Sequence, residues 1–343
     1  MVLGLKCRAI WGSEACAFSG LLRCAQFTVL SSQLIALVSA SLVSAITLPL
    51  WRRACLRTGL VDAPSARKAQ LEPVPLAGGW AVLTGILLPL VVGWWWARSA
   101  AFGAHDDSAS GRLMPVVLGG FVAMTWLGWV DDRWELAAGR KFIGQLLVAL
   151  VLVGAGVRIS FFNPPWLAAA VSLLWILTVV NAVNFVDNMN GLCAGLAAIA
   201  ALYLGARLQA TGQDWAAMLS WLAAGAALGF LPWNYPKAKA FLGDAGSHGL
   251  GFLLAALSLL AQPGPGENPT LGRMVAPVMI LGGPLLDLIW VVLRRVWTGQ
   301  PVYVADRHHL SHRLVGRGLS AAQAVAVLWA LGIGLGALAL FLR

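Results

Sequence analysis

Apolar residues fill this chain in ten blocks of about 20, the length that crosses a hydrocarbon layer as a helix. They run at roughly 27–50, 76–97, 113–130, 142–158, 165–186, 191–211, 215–232, 247–262, 271–293 and 321–342. Polar residues gather where blocks end. Asp131-Asp132, Asp187 with Asn190, Gly243-Asp244 and the run from Asp306 to Arg313 each sit at such a boundary. The pattern predicts an all-α polytopic membrane protein with about ten transmembrane helices. Residues 27–343 would form one integral-membrane domain. Residues 1–26, mildly basic around an interrupted apolar run, read as an atypical leader or extension outside it.

Composition supports the same class. The chain is 59% hydrophobic and 11% charged over 343 residues, with a mean hydropathy of +0.78. Soluble proteins carry about 25% charged residues. Seventeen Trp against three Tyr suit bilayer boundaries, where indole rings settle. The five cysteines include no Cys-x-x-Cys pair, so zinc and redox motifs are absent and free thiols are expected. No stretch is polar enough for a separate soluble domain or an arm for nucleic acid. No period of 20–50 residues marks a repeat array.

Charge orients the set. Alternate connectors hold Arg52, Arg53, Arg57, Arg67, Lys68, Arg133, Arg140, Lys141, Lys237, Lys239, Arg294, Arg295, Arg307, Arg313 and Arg317, 15 of the 24 basic residues. The opposite connectors and the C-terminus hold six: Arg98, Arg112, Arg158, Arg207, Arg273 and Arg343. Positive-inside bias assigns the richer set to the cytoplasm. All the polar clusters fall in that set.

The clusters carry chemistry that their bland readings leave unexplained. Asp131-Asp132 would pass for a solvated turn beside Arg133, yet adjacent carboxylates at a membrane surface suit metal binding or proton abstraction. Asn181, Asn184 and Asn188 recur at helical spacing, with Asp187 and Asn190 flanking that face. Hydrogen bonding between helices would account for the amides, but not for Asp187. Gly243 and Gly246 permit tight turns, and free amides near a helix start hold anions. Asp244 beside them would offer Mg²⁺ a hard oxygen ligand. His308, His309 and His312, three of the protein's five histidines, stand with Arg307, Arg313 and Arg317 as a phosphate receiver. Arg67-Lys68 adds a second basic patch. Asp287, among apolar residues near Arg294, reads as structural support. The residues alone thus describe a polytopic membrane enzyme handling phosphates at one membrane face.

Over residues 30–342 the chain resembles the polyprenyl-phosphate N-acetylhexosamine-1-phosphate transferase family, which includes the WecA/TagO-type enzymes and MraY. Five segments carry the likeness, in the family's order. They are Gly59-Leu60-Val61-Asp62-x-Pro64 through Arg67-Lys68 and Pro73-x-Pro75-x-x-Gly78-Gly79; Asp131-Asp132-Arg133; Asn181-x-x-Asn184-x-x-Asp187; Phe241-Leu242-Gly243-Asp244-x-Gly246-Ser247; and Asp306-x-x-His309-Leu310-x-His312-Arg313. The last is similar to the WecA/TagO branch rather than to MraY. Three departures stand out: Gln70 where a His is usual, Ser311 for the middle member of His-x-His-His, and Asn190 and Asn188 within the segment usually read Asp-Gly-x-Asp-Gly.

The resemblance implies transfer of a HexNAc-1-phosphate, GlcNAc-1-phosphate foremost, from a UDP-N-acetylhexosamine to undecaprenyl or another polyprenyl phosphate in the lipid layer, releasing UMP. This is the initiating step of a cell-envelope glycan. It implies Mg²⁺, or Mn²⁺ in its place, held by Asp244 and Asn190 with Asp187, and catalytic roles for Asp131, Asp132 and Asp187. Lys68, Asn181, Asn184, Arg307, His309, His312 and Arg313 would bind substrate and phosphate. The setting would be the bacterial inner membrane with the site facing the cytoplasm, and a homodimer is compatible with it. The rival within the class is an MraY-like phospho-MurNAc-pentapeptide transfer. The rival outside it, a secondary transporter, calls for acids near the bilayer midplane and an internal repeat.

Overall fold

The computed structural model describes residues 13–63, 72–99, 111–263, 270–300 and 309–342. Among these residues twelve α-helices follow in chain order: α1 Ser13–Thr58, α2 Gly78–Ser99, α3 Met114–Trp134, α4 Ala138–Gly154, α5 Pro165–Phe185, α6 Leu192–Ala210, α7 Asp214–Asn234, α8 Gly243–Leu260, α9 Leu271–Ile280, α10 Gly282–Trp297, α11 Leu310–Gly316 and α12 Ala321–Phe341. Between α1 and α2, β1 (Val61–Asp62) pairs antiparallel with β2 (Val74–Pro75). The class expected from the sequence is what is found: an all-α polytopic integral membrane protein.

Seven of these helices are long and apolar enough to cross a membrane: α1 over Ser32–Thr58, α2, α3, α5, α6, α7 and α12. The block at 271–293 is not one straight helix. It breaks into α9 and α10, bent by 78°. Pro277 inside α9 removes a helical N–H, and Gly282-Gly283-Pro284 follows at the break, so the chain turns where its backbone bonds are weakest. Counted as one, the bent pair makes an eighth span. α1 runs unbroken through residue 26.

Small residues set how closely the helices approach. A Cβ on Gly225 or Gly229 of α7 would meet the Leu37 or Ser41 carbonyl of α1, so only glycine permits this contact. At one end of the bundle Arg207 donates to Ala261 O, Leu342 O and Arg273 O, satisfying carbonyls at or near the ends of α8, α12 and α9. At the other end the connectors converge. Phe241 N donates to Pro75 O, Gly78 N to Phe241 O, Arg52 Nε to Lys239 O and Asn190 Nδ2 to Pro236 O. A chain of indoles, Trp51–Trp80–Trp129–Trp134 at 5.3, 6.2 and 5.5 Å, rings this end. Trp94, Trp95 and Trp96 lie exposed toward the far end of α2. Two aromatic belts of this kind mark two interfaces.

Candidate active site

The site begins at the crossing of α3 and α8. A Cβ on Gly128 would collide with the Asp244 carbonyl, and one on Gly249 with Thr125 Oγ1, so the two helices pack backbone to backbone. That contact sets the last turn of α3, with Asp131 and Asp132, beside the first turn of α8. Gly243 enters α8 at φ +72°, a left-handed turn that a side chain resists. Asp132 accepts Asp244 N at 2.8 Å on Oδ1 and Ala245 N at 3.0 Å on Oδ2. The amides expected to be free for a phosphate are therefore already taken by a carboxylate on the neighbouring helix, the charge a helix N-terminus favours. Asp132→Asn turns one acceptor into a donor facing an N–H. We expect it to cost about 1–3 kcal/mol of stability besides turnover, read as a lower melting temperature than that of Asp131→Asn.

Lys141, at the start of α4, joins the cluster. Its ammonium lies 2.7 Å from Asp131 Oδ2 and 2.8 Å from Asp244 Oδ2. Asp131 Oδ1 accepts Leu136 N at 2.8 Å, fixing the α3–α4 turn. Asp244 Oδ1 accepts Asn184 Nδ2 at 2.7 Å, and that amide also reaches Ser247 Oγ at 3.0 Å. Two carboxylates at ion-pair distance hold Lys141 as a cation. Lys141 in turn compensates the charge of Asp244.

Asp187 is the exception. Among the described residues no donor and no cation meets its carboxylate, and burial, then the charges of Asp244 and Asp132, push its pKa up to about 8. Asp131, Asp132, Asp187 and Asp244 thus form an acidic group in which Lys141 answers two members and Asp187 stands uncompensated. No three His, Cys, Asp or Glu side chains among the described residues close into a complete metal shell. Such an incomplete set still fits Mg²⁺, which takes one or two carboxylates and fills its shell with water and substrate phosphates.

The asparagine stripe divides. α5 ends at Phe185, so Asn188 lies in the following turn rather than on the helical face expected for it. Asn184 reaches Asp244. Asn181 instead donates to Gln145 Oε1 at 2.9 Å and to Leu177 O at 2.8 Å, bridging α4 and α5. Asn188 Oδ1 accepts Ser311 Oγ at 2.7 Å. Asn190 donates its amide to Pro236 O at 3.2 Å, which leaves its carbonyl oxygen for a ligand.

The histidine segment is anchored from below. Asp287, 3% exposed, receives Leu310 N on Oδ1 at 2.7 Å and stands 2.6 Å from His309 Nδ1 on Oδ2. It is structural support, as the sequence implied, but for His309 rather than through Arg294. A proton on Nδ1 held by Asp287 fixes the ring and directs Nε2 outward. His312 packs its ring 6.2 Å from His309, and Arg313 stacks 4.1 Å over Trp290. Arg295, 2% exposed, lies 5.5 Å from the Phe185 ring, whose far neighbour is His309 at 6.1 Å. Lys68 and Arg307 lie outside the described residues. Lys141 and Arg295 were hidden in the sequence because their only signal was membership of the basic connectors. The acids gather at one end of the bundle, not at mid-depth as the transporter reading required.

Comparison with known proteins points the same way. The family described as Glycosyl transferase family 4 matches residues 114–262. The "Probable undecaprenyl-phosphate N-acetylglucosaminyl 1-phosphate transferase" of Bacillus subtilis is 33% identical over 317 residues, covering 89% of this chain and 84% of its own. The "Decaprenyl-phosphate N-acetylglucosaminephosphotransferase" of Mycobacterium tuberculosis is 35% identical over 306 residues, 80% of this chain and 73% of its own. The "Undecaprenyl-phosphate alpha-N-acetylglucosaminyl 1-phosphate transferase" of Salmonella typhimurium is 26% identical over 306 residues, 85% and 79%.

Proposed function

This chain belongs to the polyprenyl-phosphate N-acetylglucosaminyl-1-phosphate transferase family, and we propose that it moves GlcNAc-1-phosphate from UDP-GlcNAc to a polyprenyl phosphate. An oxygen of the lipid phosphate attacks the β-phosphorus, the bond to the UMP oxygen breaks, and UMP leaves. The lipid phosphate is already an anionic nucleophile, so direct attack needs no enzyme-bound intermediate. What the protein must do is hold three phosphates together against their repulsion. The observation that carries the reading is the acidic group around Lys141 with Asp187 uncompensated, a set short of positive charge until Mg²⁺ or Mn²⁺ and the substrates arrive. Asp187, Asp244 and the Asn190 carbonyl would hold the ion, which would polarise the pyrophosphate. His309, oriented by Asp287, His312 and Arg313 would take phosphate oxygens, joined by Lys68 and Arg307 from their connectors.

The proposal extends to topology. Helix α4, 17 residues and about 26 Å long, and the largely buried α8 would be the two further spans that bring the count to ten. The site would face the cytoplasm of a bacterial inner membrane, on the strength of the 15-to-6 basic asymmetry. Reporter fusions after residue 105 and after residue 240 should report external and cytoplasmic positions respectively. The reverse pattern would refute the orientation.

The reaction itself is tested with purified protein, undecaprenyl phosphate, Mg²⁺ and sugar-labelled UDP-GlcNAc, UDP-GalNAc and UDP-MurNAc-pentapeptide. We expect lipid-linked GlcNAc, lost in excess chelator and regained with Mn²⁺. No lipid product from any donor would overturn the proposal.

A further inference from the structure

We propose that Ser311 and Asn188 form a positioning clamp that ties the histidine-bearing helix α11 to the turn carrying Asp187. Through it, the phosphate-binding histidines and the metal-side carboxylate keep one spacing. The inference rests on the reaction proposed above.

Ser311 is wholly buried, and its Oγ donates to Asn188 Oδ1 at 2.7 Å across 123 positions of sequence. The acceptor cannot swing away, because Asn188 Nδ2 donates to Phe185 O at 2.7 Å. Phe185 is the last residue of α5, and its ring lies perpendicular to that of His309 with centroids 6.1 Å apart, so both sides of the clamp converge on one residue. α11 needs such fixing. At seven residues it is too short to hold its own direction. Asp287 fastens it to α10 through His309 and Leu310, and Arg313 over Trp290 meets the same helix, so both contacts fall on one element. Ser311, next to Leu310, supplies an anchor on a different element.

The other end matters equally. Asn188 follows Asp187 directly, and among the described residues no donor or cation holds the Asp187 carboxylate. Any play in the turn passes straight to that group. A part-buried hydroxyl–amide pair adds no packing that apolar side chains could not supply, but it admits one register only. Ser311 and Asn188 are also two of the positions at which the chain departs from the family's motifs, and they meet each other in one hydrogen bond.

Neither residue touches the reacting atoms, so the clamp should act on turnover rather than on donor binding. The test compares wild type, Ser311→Ala, Asn188→Ala, the double variant and Ser311→Thr, which keeps the hydroxyl. Each alanine substitution is expected to lower kcat by about 10–100-fold, with the KM for UDP-GlcNAc within about threefold. The double variant should be no worse than the poorer single one, because one interaction is being removed twice. Ser311→Thr should return most of the activity. If the alanine proteins cannot be purified, Ser311→Cys, similar in size but a weak donor, should show the same kcat-selective loss. Losses that multiply in the double variant, a raised KM with kcat intact, or full turnover in Ser311→Cys would overturn the clamp. Melting temperatures of the same proteins separate the two failures. Should wild type transfer no sugar phosphate, the proposed reaction falls, and the clamp is judged on whether the two alanine shifts in Tm are additive, which would refute it.

Discussion

Asp187→Asn lowers turnover by about 10²–10³-fold, the scale of losing one preorganised electrostatic contact in an active site, while the protein stays folded. The two halves of this expectation come from one fact. Among the described residues Asp187 has no donor or cation against it, so its removal breaks no contact with them, yet it is the carboxyl that burial and the charges of Asp244 and Asp132 hold at a pKa of about 8. Stability should follow with a definite sign. In the folded protein Asp187 keeps its proton up to about pH 8, whereas in the unfolded chain it loses it near pH 4. Between those values the folded state binds more protons, so the metal-free wild type loses stability as pH rises through the window. Asp187→Asn removes that contribution. Melting temperatures in chelator from pH 5 to 8 should fall more steeply for wild type than for the variant. Parallel curves, or near-normal turnover in Asp187→Asn, would show that Asp187 is not the unpartnered carboxyl of the site.

Lys141→Met should lose about 100-fold or more in turnover and some stability besides. The ammonium lies within 2.8 Å of carboxylates from two different helices, α3 and α8, and without it those carboxylates face one another unscreened. Breaking a fully buried pair costs about 3–5 kcal/mol. Lys141 and Asp244 are partly open to solvent, so about 2 kcal/mol is the scale expected here once screening is allowed for. Lys141→Arg keeps the charge but not the compact point contact, and should recover stability better than turnover. Raised Mg²⁺ should partly restore Lys141→Met, since a divalent ion can take up the same excess charge. Wild-type kinetics in Lys141→Met would remove the lysine from the site.

The sequence revealed most about what the bilayer dictates. Apolar runs such as 165–186 and 191–211 became α5 and α6 within a residue or so, because a helix long enough to cross a bilayer must be apolar along its length, whether it faces lipid or, like α6, its neighbours. The bend between α9 and α10 was written in Pro277 and Gly282-Gly283-Pro284, but hydropathy is blind to direction and the run looked continuous. Site residues were legible as types and illegible as partners. Asp132 was visible as an acid at a helix end; that its oxygens would meet the first amides of α8 depends on Gly128 and Gly249, two of many dispersed glycines. Lys141 could not be told from the other cations of the basic connectors. Asp287 and His309 lie 22 residues apart, and Asn188 and Ser311 farther still. Pairs of that kind have no local pattern, and only the packing of α5, α10 and α11 brings them together.

Sugar-phosphate transfer differs from sugar transfer in the fate of one phosphorus atom. UDP-GlcNAc labelled with ³²P in the β-phosphate alone should be incubated with the purified protein, undecaprenyl phosphate and Mg²⁺. The label is expected in the lipid fraction, with unlabelled UMP released in equal amount. Label remaining in water-soluble UDP while the sugar enters the lipid would contradict it, as would label that never leaves the donor.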